Sequence, residues 1–322
     1  MGKTPEDLEK SRAFREQIIR KYGFVPETII KESELKKQWP SLHKEIIRYT
    51  KRTPSIQAQK KHAKMNYNIK TYETQNGEIK SFNQELSQFS ISSQNVRGAS
   101  GGLSTYPPEL AKFIIEFYSN PYDYIGDPFA GHNSRLQVSY ISGRSYIGYD
   151  ICHEFVSWME EKVIKEIQGK GNQIHLFEDK KNTIILREQT SEKMVEADET
   201  FDMITTSPPY GIEKYDDHPL QIGYNEDYDT MIKRLTIVLA ECYRTLKKGK
   251  FCIWNINDFN KDNIFFPFHV DIAKAFQQVG FQLYQILIYE YVSGQGQAFA
   301  SQVEMRKHCG KLHEYLVTGK KL

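Results

Sequence analysis

From about residue 105 to the end, short apolar runs alternate with helical patterns, and this alternation narrows the possible folds more than any other feature. Helices are predicted at 107–119, 133–142, 153–168, 226–247 and 270–278. Strands are predicted at Tyr124–Pro128, Ser145–Asp150, Thr183–Leu186, Phe201–Thr205 and Phe251–Ile256, followed by two late strands, Gln282–Tyr291 and Glu314–Thr318. Helices and strands in alternation mean an α/β domain around a mainly parallel central sheet. In such a sheet, ligands bind beyond the carboxyl ends of the strands.

The first hundred residues read differently. Thr4 and Pro5 suit a helix start, Leu8, Phe14, Ile18 and Ile19 give residues 5–21 an apolar stripe, and Gly23 ends the pattern. A second helical stretch is predicted near Glu34–Tyr49. Residues 70–104 are polar and end in SSQNVRGASGGLST, which reads as a loop or linker. The predicted organisation is a basic helical region 1–70, a polar linker 71–103 and a core 104–322. The net charge of +2 hides an asymmetry, because residues 1–70 hold 17 Lys/Arg against 8 Asp/Glu. Lys51 to Lys70 carries six basic residues and no acid, interleaved with Gln, Asn, His and Tyr. That mixture suits phosphate contact with polar readout, and equally a solvated lysine-rich face.

Hydrophobic residues at 39% and charged residues at 26% indicate a folded domain. No stretch is apolar enough to span a membrane, and the start has no signal-peptide pattern. Cys152, Cys242, Cys252 and Cys309 form no CxxC pair. A reducing, cytoplasmic setting is therefore expected, with no structural metal.

Two loops carry the chemistry. The first predicted strand ends in Asp127-Pro-Phe-Ala-Gly131-His-Asn-Ser134, and the second ends at Asp150. A turn of small residues, a helix and then an acid closing the next strand suit a nucleoside, whose ribose hydroxyls a carboxylate accepts. The GxGxxG pattern is absent. Read alone, the turn also fits Asp127 capping the next helix and Asp150 lying in a surface loop. The second loop, Thr206-Ser207-Pro208-Pro209-Tyr210-Gly211, follows the strand at 201–205. Its prolines remove two donors and stiffen the backbone. The Ser207 hydroxyl and Pro208 carbonyl can accept the two hydrogens of an exocyclic amino group, favour a tetrahedral nitrogen and aim its lone pair. Tyr210 can stack on a base taken out of the duplex. A buried proline turn with a core tyrosine fits the same residues.

Together these segments resemble the S-adenosylmethionine-dependent DNA amino-methyltransferases, which methylate N6 of adenine or N4 of cytosine. Ser104-Thr105-Tyr106-Pro107-Pro108-Glu109-Leu110 is similar to the segment preceding the cofactor loop. Asp127-Pro-Phe129-Ala-Gly131 resembles the DPFxG cofactor loop, and Asp150 stands where the family has its ribose-binding acid. Thr206–Tyr210 resembles the catalytic (D/N/S)PP(Y/F) loop. Phe251–Asp258 and His313–Val317 are weaker echoes. The resemblance spans roughly residues 104–320. It implies a Rossmann-like methyltransferase core and S-adenosyl-L-methionine as cofactor. Thr105, Tyr106, Pro107, Asp127, Phe129, Gly131, Asp150 and Gln189 would hold the cofactor, and Ser207, Pro208, Pro209 and Tyr210 would form the catalytic loop. Double-stranded DNA is the implied substrate. A serine at 207 leans toward cytosine N4 over adenine N6.

Only 80 residues separate the two loops, too few for a recognition domain between them. Target recognition is therefore expected from 1–103, 211–226, 258–270 or 291–312, with the basic N-terminal segment first. The second glycine of the family's loop is missing at His132–Arg135, and Arg135 is expected to face a phosphate or a carboxylate of the fold. Either Glu188 or Gln189 would serve the adenine of the cofactor. No Pro-Cys pair supports C5 methylation, and no nuclease constellation stands out, so a cognate restriction nuclease would be a separate partner. Rival readings are methylation of RNA or a protein glutamine, and a non-catalytic DNA-binding protein that keeps the fold. The sequence is silent on oligomeric state.

Overall fold

The computed structural model describes residues 5–47, 71–73, 79–81, 106–131, 134–170, 182–210, 218–261, 264–291 and 311–322. In chain order the helices are α1 (Pro5–Tyr22), α2 (Glu32–Gln38), α3 (Leu42–Glu45), α4 (Pro108–Tyr118), α5 (Ser134–Ile141), α6 (His153–Trp158), α7 (Lys165–Lys170), α8 (Tyr228–Thr245) and α9 (Phe268–Gln278). A π-helical turn, Met159–Ile164, joins α6 to α7. The strands are β1 (Ile29–Lys31), β2 (Thr71–Glu73), β3 (Ile79–Ser81), β4 (Tyr124–Asp127), β5 (Ser145–Asp150), β6 (Ile184–Glu188), β7 (Phe201–Thr206), β8 (Leu246–Ile256), β9 (Phe259–Lys261), β10 (Ile264–Phe266), β11 (Gln282–Glu290) and β12 (His313–Lys320).

Eight strands form one sheet in the order β1-β11-β12-β8-β7-β4-β5-β6. Every neighbouring pair is parallel except the two made by β12, which runs antiparallel between β8 and β11. This is the expected mainly parallel α/β sheet, with strand order and reversed strand matching a Rossmann-like methyltransferase core. All six residues of β7 are buried, as a central strand covered on both faces requires. Behind β7 and β8 lies a cluster of Phe201, Leu235, Leu239, Trp254, Ile272 and Phe276. From β4 the chain runs outward one way through β5 to β6 and the other way through β7 to β8. The carboxyl ends of β4 and β7 thus flank the point where strand order reverses, the place where sheets of this kind form their ligand crevice.

Local chemistry explains the helix ends. Gly23, at φ +80°, stops α1 in the left-handed region that favours glycine, its N–H bonding the Ile19 carbonyl. Asp227 caps α8 by accepting from the Thr230 N–H at 2.8 Å. Pro108 opens α4.

The N-terminal part departs from expectation. Instead of one helix at 34–49, a three-residue strand leads into α2 and α3, which stop and restart around Pro40 because proline supplies no helical donor. Strand β1 pairs with β11 and widens the main sheet. Residues up to Ile47 thereby belong to the same compact unit as 106–322. The expected region 1–70 is therefore split near residue 47. Residues 48–105 form a second unit, in which β2 and β3 pair antiparallel within the expected linker. The basic segment Lys51–Lys70, Thr4 and the end of the predicted second helix lie outside the described residues.

Candidate functional site

Asp127, the last residue of β4 and 1% exposed, is the hub of the crevice. Its carboxylate accepts from Arg135 Nε at 2.7 Å, Tyr146 OH at 2.7 Å and Thr206 Oγ1 at 2.6 Å. It also accepts from the Phe129 N–H at 3.2 Å. These donors come from the loop after β4, from α5, from β5 and from the end of β7. One buried charge therefore ties the first loop to the start of the second. Asp127 does not act as a simple helix cap. Arg135 is buried with it, bonds the Phe129 carbonyl at 2.7 Å, and lies 4.6 Å from the Tyr106 ring. Of the two partners expected for Arg135, the structure gives the carboxylate of the fold. Pairing with Asp127 raises its pKa although burial opposes this.

Around this hub the first loop forms a cradle. Gly131 adopts φ +58°, and nothing lies within 4 Å of where a Cβ would project. A ligand can therefore approach the backbone closely there. Asp150 folds under the loop, its two oxygens accepting from the N–H groups of Gly131 at 2.7 Å and Cys152 at 2.8 Å. Each oxygen keeps a second lone pair, which is what two ribose hydroxyls need. Desolvation raises this carboxyl from 3.8 to about 6, and the two N–H groups partly offset the rise. Ser134 Oγ donates to the Tyr106 carbonyl at 2.6 Å and joins the segment before α4 to the cradle. Pro107 precedes α4 as its cap residue, and Phe129 packs edge-on against Trp254 at 5.9 Å. Thr105 lies outside the described residues, as do His132 and Asn133.

At the end of β6, both candidates for the cofactor's adenine are engaged. The Glu188 carboxylate meets His153 Nδ1 at 2.8 Å, which raises the imidazole pKa. The Gln189 side chain donates to the Lys193 carbonyl at 3.4 Å.

The second loop leaves β7 beside the cradle. Tyr210 OH donates to the Asn255 carbonyl at 3.3 Å and lies 3.0 Å from Ser207 Oγ. Either hydroxyl can donate in that second bond. When the Tyr210 proton lies on the Asn255 carbonyl, Ser207 donates to Tyr210 and its Oγ keeps acceptor capacity only. Ser207 and Pro209 are half-buried and Pro208 is buried. Tyr210 is half-buried, its ring edge-on to Phe268 at 6.0 Å. Asn255 Nδ2 donates to Glu314 at 2.6 Å, where burial raises the carboxyl pKa.

Sequence reasoning missed the bonding roles of Tyr146, Thr206 and Asn255. A polar residue within or ending an otherwise apolar strand was the available signal. Cys152, Cys242 and Cys252 are buried and form no disulfide among the described residues, and Cys309 lies outside them. Among the described residues no acidic, His or Cys cluster fits a metal, and no helix is long and apolar enough to cross a membrane.

The N6/N4 methyltransferase family model, described as DNA methylase, matches residues 8–161 and 201–321. A Type II methyltransferase, M.MthZI of Methanothermobacter thermautotrophicus, is 35% identical over 60 residues, 19% of this chain and 17% of that protein. The match thus spans less than a fifth of the curated relative's length. Among solved structures, a SAM-dependent methyltransferase from Methanosarcina mazei is 13% identical with a TM-score of 0.43, over 68% of this chain and 99% of that one. A geranyl diphosphate methyltransferase in complex with SAM is 13% identical with a TM-score of 0.43, over 67% and 85%. Likenesses this low add nothing to the strand order already described. The family model covers well over half of the chain, including both loops of the crevice, and the chain belongs to the N6/N4 DNA methylase family.

Proposed function

We propose that the protein transfers a methyl group from S-adenosyl-L-methionine to the exocyclic amino group of a base flipped out of double-stranded DNA, with N4 of cytosine ahead of N6 of adenine. The observation that carries this reading is the junction at Asp127, which fixes a nucleoside-shaped cradle beside a loop of hydrogen-bond acceptors. S-adenosyl-L-methionine is the cofactor, and when bound it supplies an electrophilic methyl carbon. Gly131 opens the backbone to it, Asp150 takes the ribose hydroxyls, and Glu188 or Gln189 lies at the end of β6 for its adenine. On the substrate side, Ser207 Oγ and the Pro208 carbonyl accept the two amino hydrogens. Holding both hydrogens draws the nitrogen out of conjugation and points its lone pair at the methyl carbon. The nitrogen becomes strongly acidic once the new bond forms and sheds one proton to water; the Ser207 hydroxyl and the Pro208 carbonyl orient it by hydrogen bonds and do not keep the proton. Tyr210 keeps Ser207 in its accepting orientation through the Asn255 carbonyl. The preference for cytosine rests on serine at 207. The basic segment Lys51–Lys70 serves as a phosphate contact, and a cognate restriction nuclease would be a separate partner.

The test is direct. Purified protein is incubated with isotopically labelled S-adenosyl-L-methionine and mixed-sequence duplex DNA, and the DNA is digested and analysed by mass spectrometry. Labelled N4-methylcytosine is the expected product, and N6-methyladenine would reverse the preference. Ser207→Ala should lower methylation by about 100-fold or more while the protein still folds, because a positioned acceptor is lost from the transition state. Label only in RNA or protein glutamine would replace the DNA reading. Cofactor binding without any transfer would favour a non-catalytic protein.

A further inference from the structure

The hairpin β9–β10 leaves the carboxyl end of β8, four residues beyond Asn255, whose carbonyl accepts from Tyr210. Its base is fastened by aromatic rings. Phe259 stacks on Phe266 at 5.2 Å, and Phe266 meets Tyr228 at 4.6 Å. Phe259 lies edge-on to Phe268 at 5.8 Å, and Phe268 lies edge-on to Tyr210 at 6.0 Å. The hairpin base is thus two ring contacts from the loop that receives the base. Farther out the packing stops. Ile264 is 58% exposed and Phe265 is 55% exposed, opposite Lys261 and Asn260 in the hairpin register. Neither side chain belongs to the core, and leaving them in water forgoes the stabilisation their burial would give.

The surroundings indicate what covers this tip. Lys261 stands beside it. On the flank toward β12, Lys311 bonds the Asn257 side chain and the Asp258 carbonyl, and its ammonium lies 5.6 Å from the Tyr315 ring. His313 bonds Tyr315 OH at 2.9 Å, and His269 stacks on the same ring at 3.8 Å while holding Asp258. The nearby acids are engaged, Asp227 by the α8 cap, Glu226 by Arg234, Asp258 by His269 and Asp271 by Tyr228. An exposed apolar tip two ring contacts from a base-accepting loop has the chemistry of a side chain that enters a base stack.

We propose that Phe265, with Ile264 beside it, is the wedge that enters the duplex where the target base leaves. This assignment rests on the DNA reading above. Extruding a base unpairs and unstacks it at a cost of a few kcal/mol, and a ring filling the gap offsets part of that cost. The wedge acts on the flipping equilibrium, so its contribution depends on whether the substrate has already lost the pairing.

The test uses the full chain and a duplex shown to be methylated by it, in two forms: fully paired, and with an abasic site opposite the target base. Phe265→Ala should lower kcat/KM on the paired duplex by about tenfold and recover to near wild type on the abasic one. Phe265→Trp should keep activity on both, and thermal melts should show each variant folded. Equal loss on both duplexes would assign the hairpin a structural role and overturn the wedge. No loss on either would show that DNA does not reach the tip. A change in oligomeric mass of Phe265→Ala by light scattering, with unchanged kinetics, would make the tip a contact between copies instead. Wild-type protein inert on every duplex would overturn both this assignment and the DNA reading.

Discussion

The two sides of the crevice are built on opposite principles. On the cofactor side buried bonds tie the scaffold together: Asp127 gathers donors from four parts of the chain, and Asp150 bridges two loops while each of its oxygens keeps a lone pair for a ligand. On the target side, Ser207 is left accepting and the hairpin tip holds Phe265 and Ile264 in water. The first side must present one geometry to one ligand, and satisfied buried bonds supply that rigidity. On the proposed function the second must admit a base from another molecule, so its acceptors and apolar tip face outward. A bonded junction and an exposed tip thus mark the two halves.

The largest expected effect breaks the saturated side. Asp127→Ala strands a buried guanidinium and two hydroxyls, and should cost about 3–5 kcal/mol of stability. Chemical denaturation reads it, and a loss under 1 kcal/mol would show that the hub is not structural. Asp150 comes next. On the proposed role of Asp150, ribose hydroxyls bind its ionised carboxylate, whose pKa is raised to about 6 in the protein. Cofactor affinity should therefore be highest above pH 7 and fall by about tenfold between pH 7 and 5. For folding the sign is opposite, because ionising a desolvated acid costs stability as pH rises from about 4 to about 6. Calorimetric titration across this range measures the affinity, and Asp150→Asn should flatten its pH profile. A profile unchanged by that substitution would place the ribose elsewhere.

A smaller effect belongs to the loop between the two sides. Tyr210→Phe removes the hydroxyl that receives the Ser207 proton, freeing Ser207 to turn away. It should reduce kcat by about tenfold, the worth of one positioned hydrogen bond, with KM for the cofactor unchanged. Steady-state kinetics separate these, and a rise confined to cofactor KM would contradict the orientation assigned to Ser207. The smallest effect is on the target side. Phe265→Ala should change folding stability by no more than about 0.5 kcal/mol, because an exposed side chain carries little packing. A melt showing a loss above 2 kcal/mol would mean that the hairpin tip is part of the core and would erase the contrast.

Much of the core was legible because its elements are long and strongly patterned. The strands at 145–150 and 201–206 and the helix at 228–245 stand close to their predicted places, and both loops fall at strand ends as expected. The missed elements share a cause. Strand β1 and hairpin strands β9 and β10 are three residues each, too short for a period to emerge. Strand β1 exists because β11 offers it an edge, and no local propensity encodes that. Arg135 was ambiguous for a related reason. Its partner lies eight residues away, and only the turn of α5 onto the β4 loop aims the guanidinium at Asp127.

The amino-acid sequence alone carried the fold class, the order of its elements and the two loop motifs, because hydrophobic periodicity and proline or glycine punctuation are local properties of a chain. Tertiary structure decided that Asp127 joins the loops, that Tyr210 turns Ser207 into an acceptor, and that Phe265 is left facing water. Those outcomes depend on strands β4, β7 and β8 meeting side by side across long stretches of chain. A hydrogen-bond direction or an exposed ring is a property of that meeting.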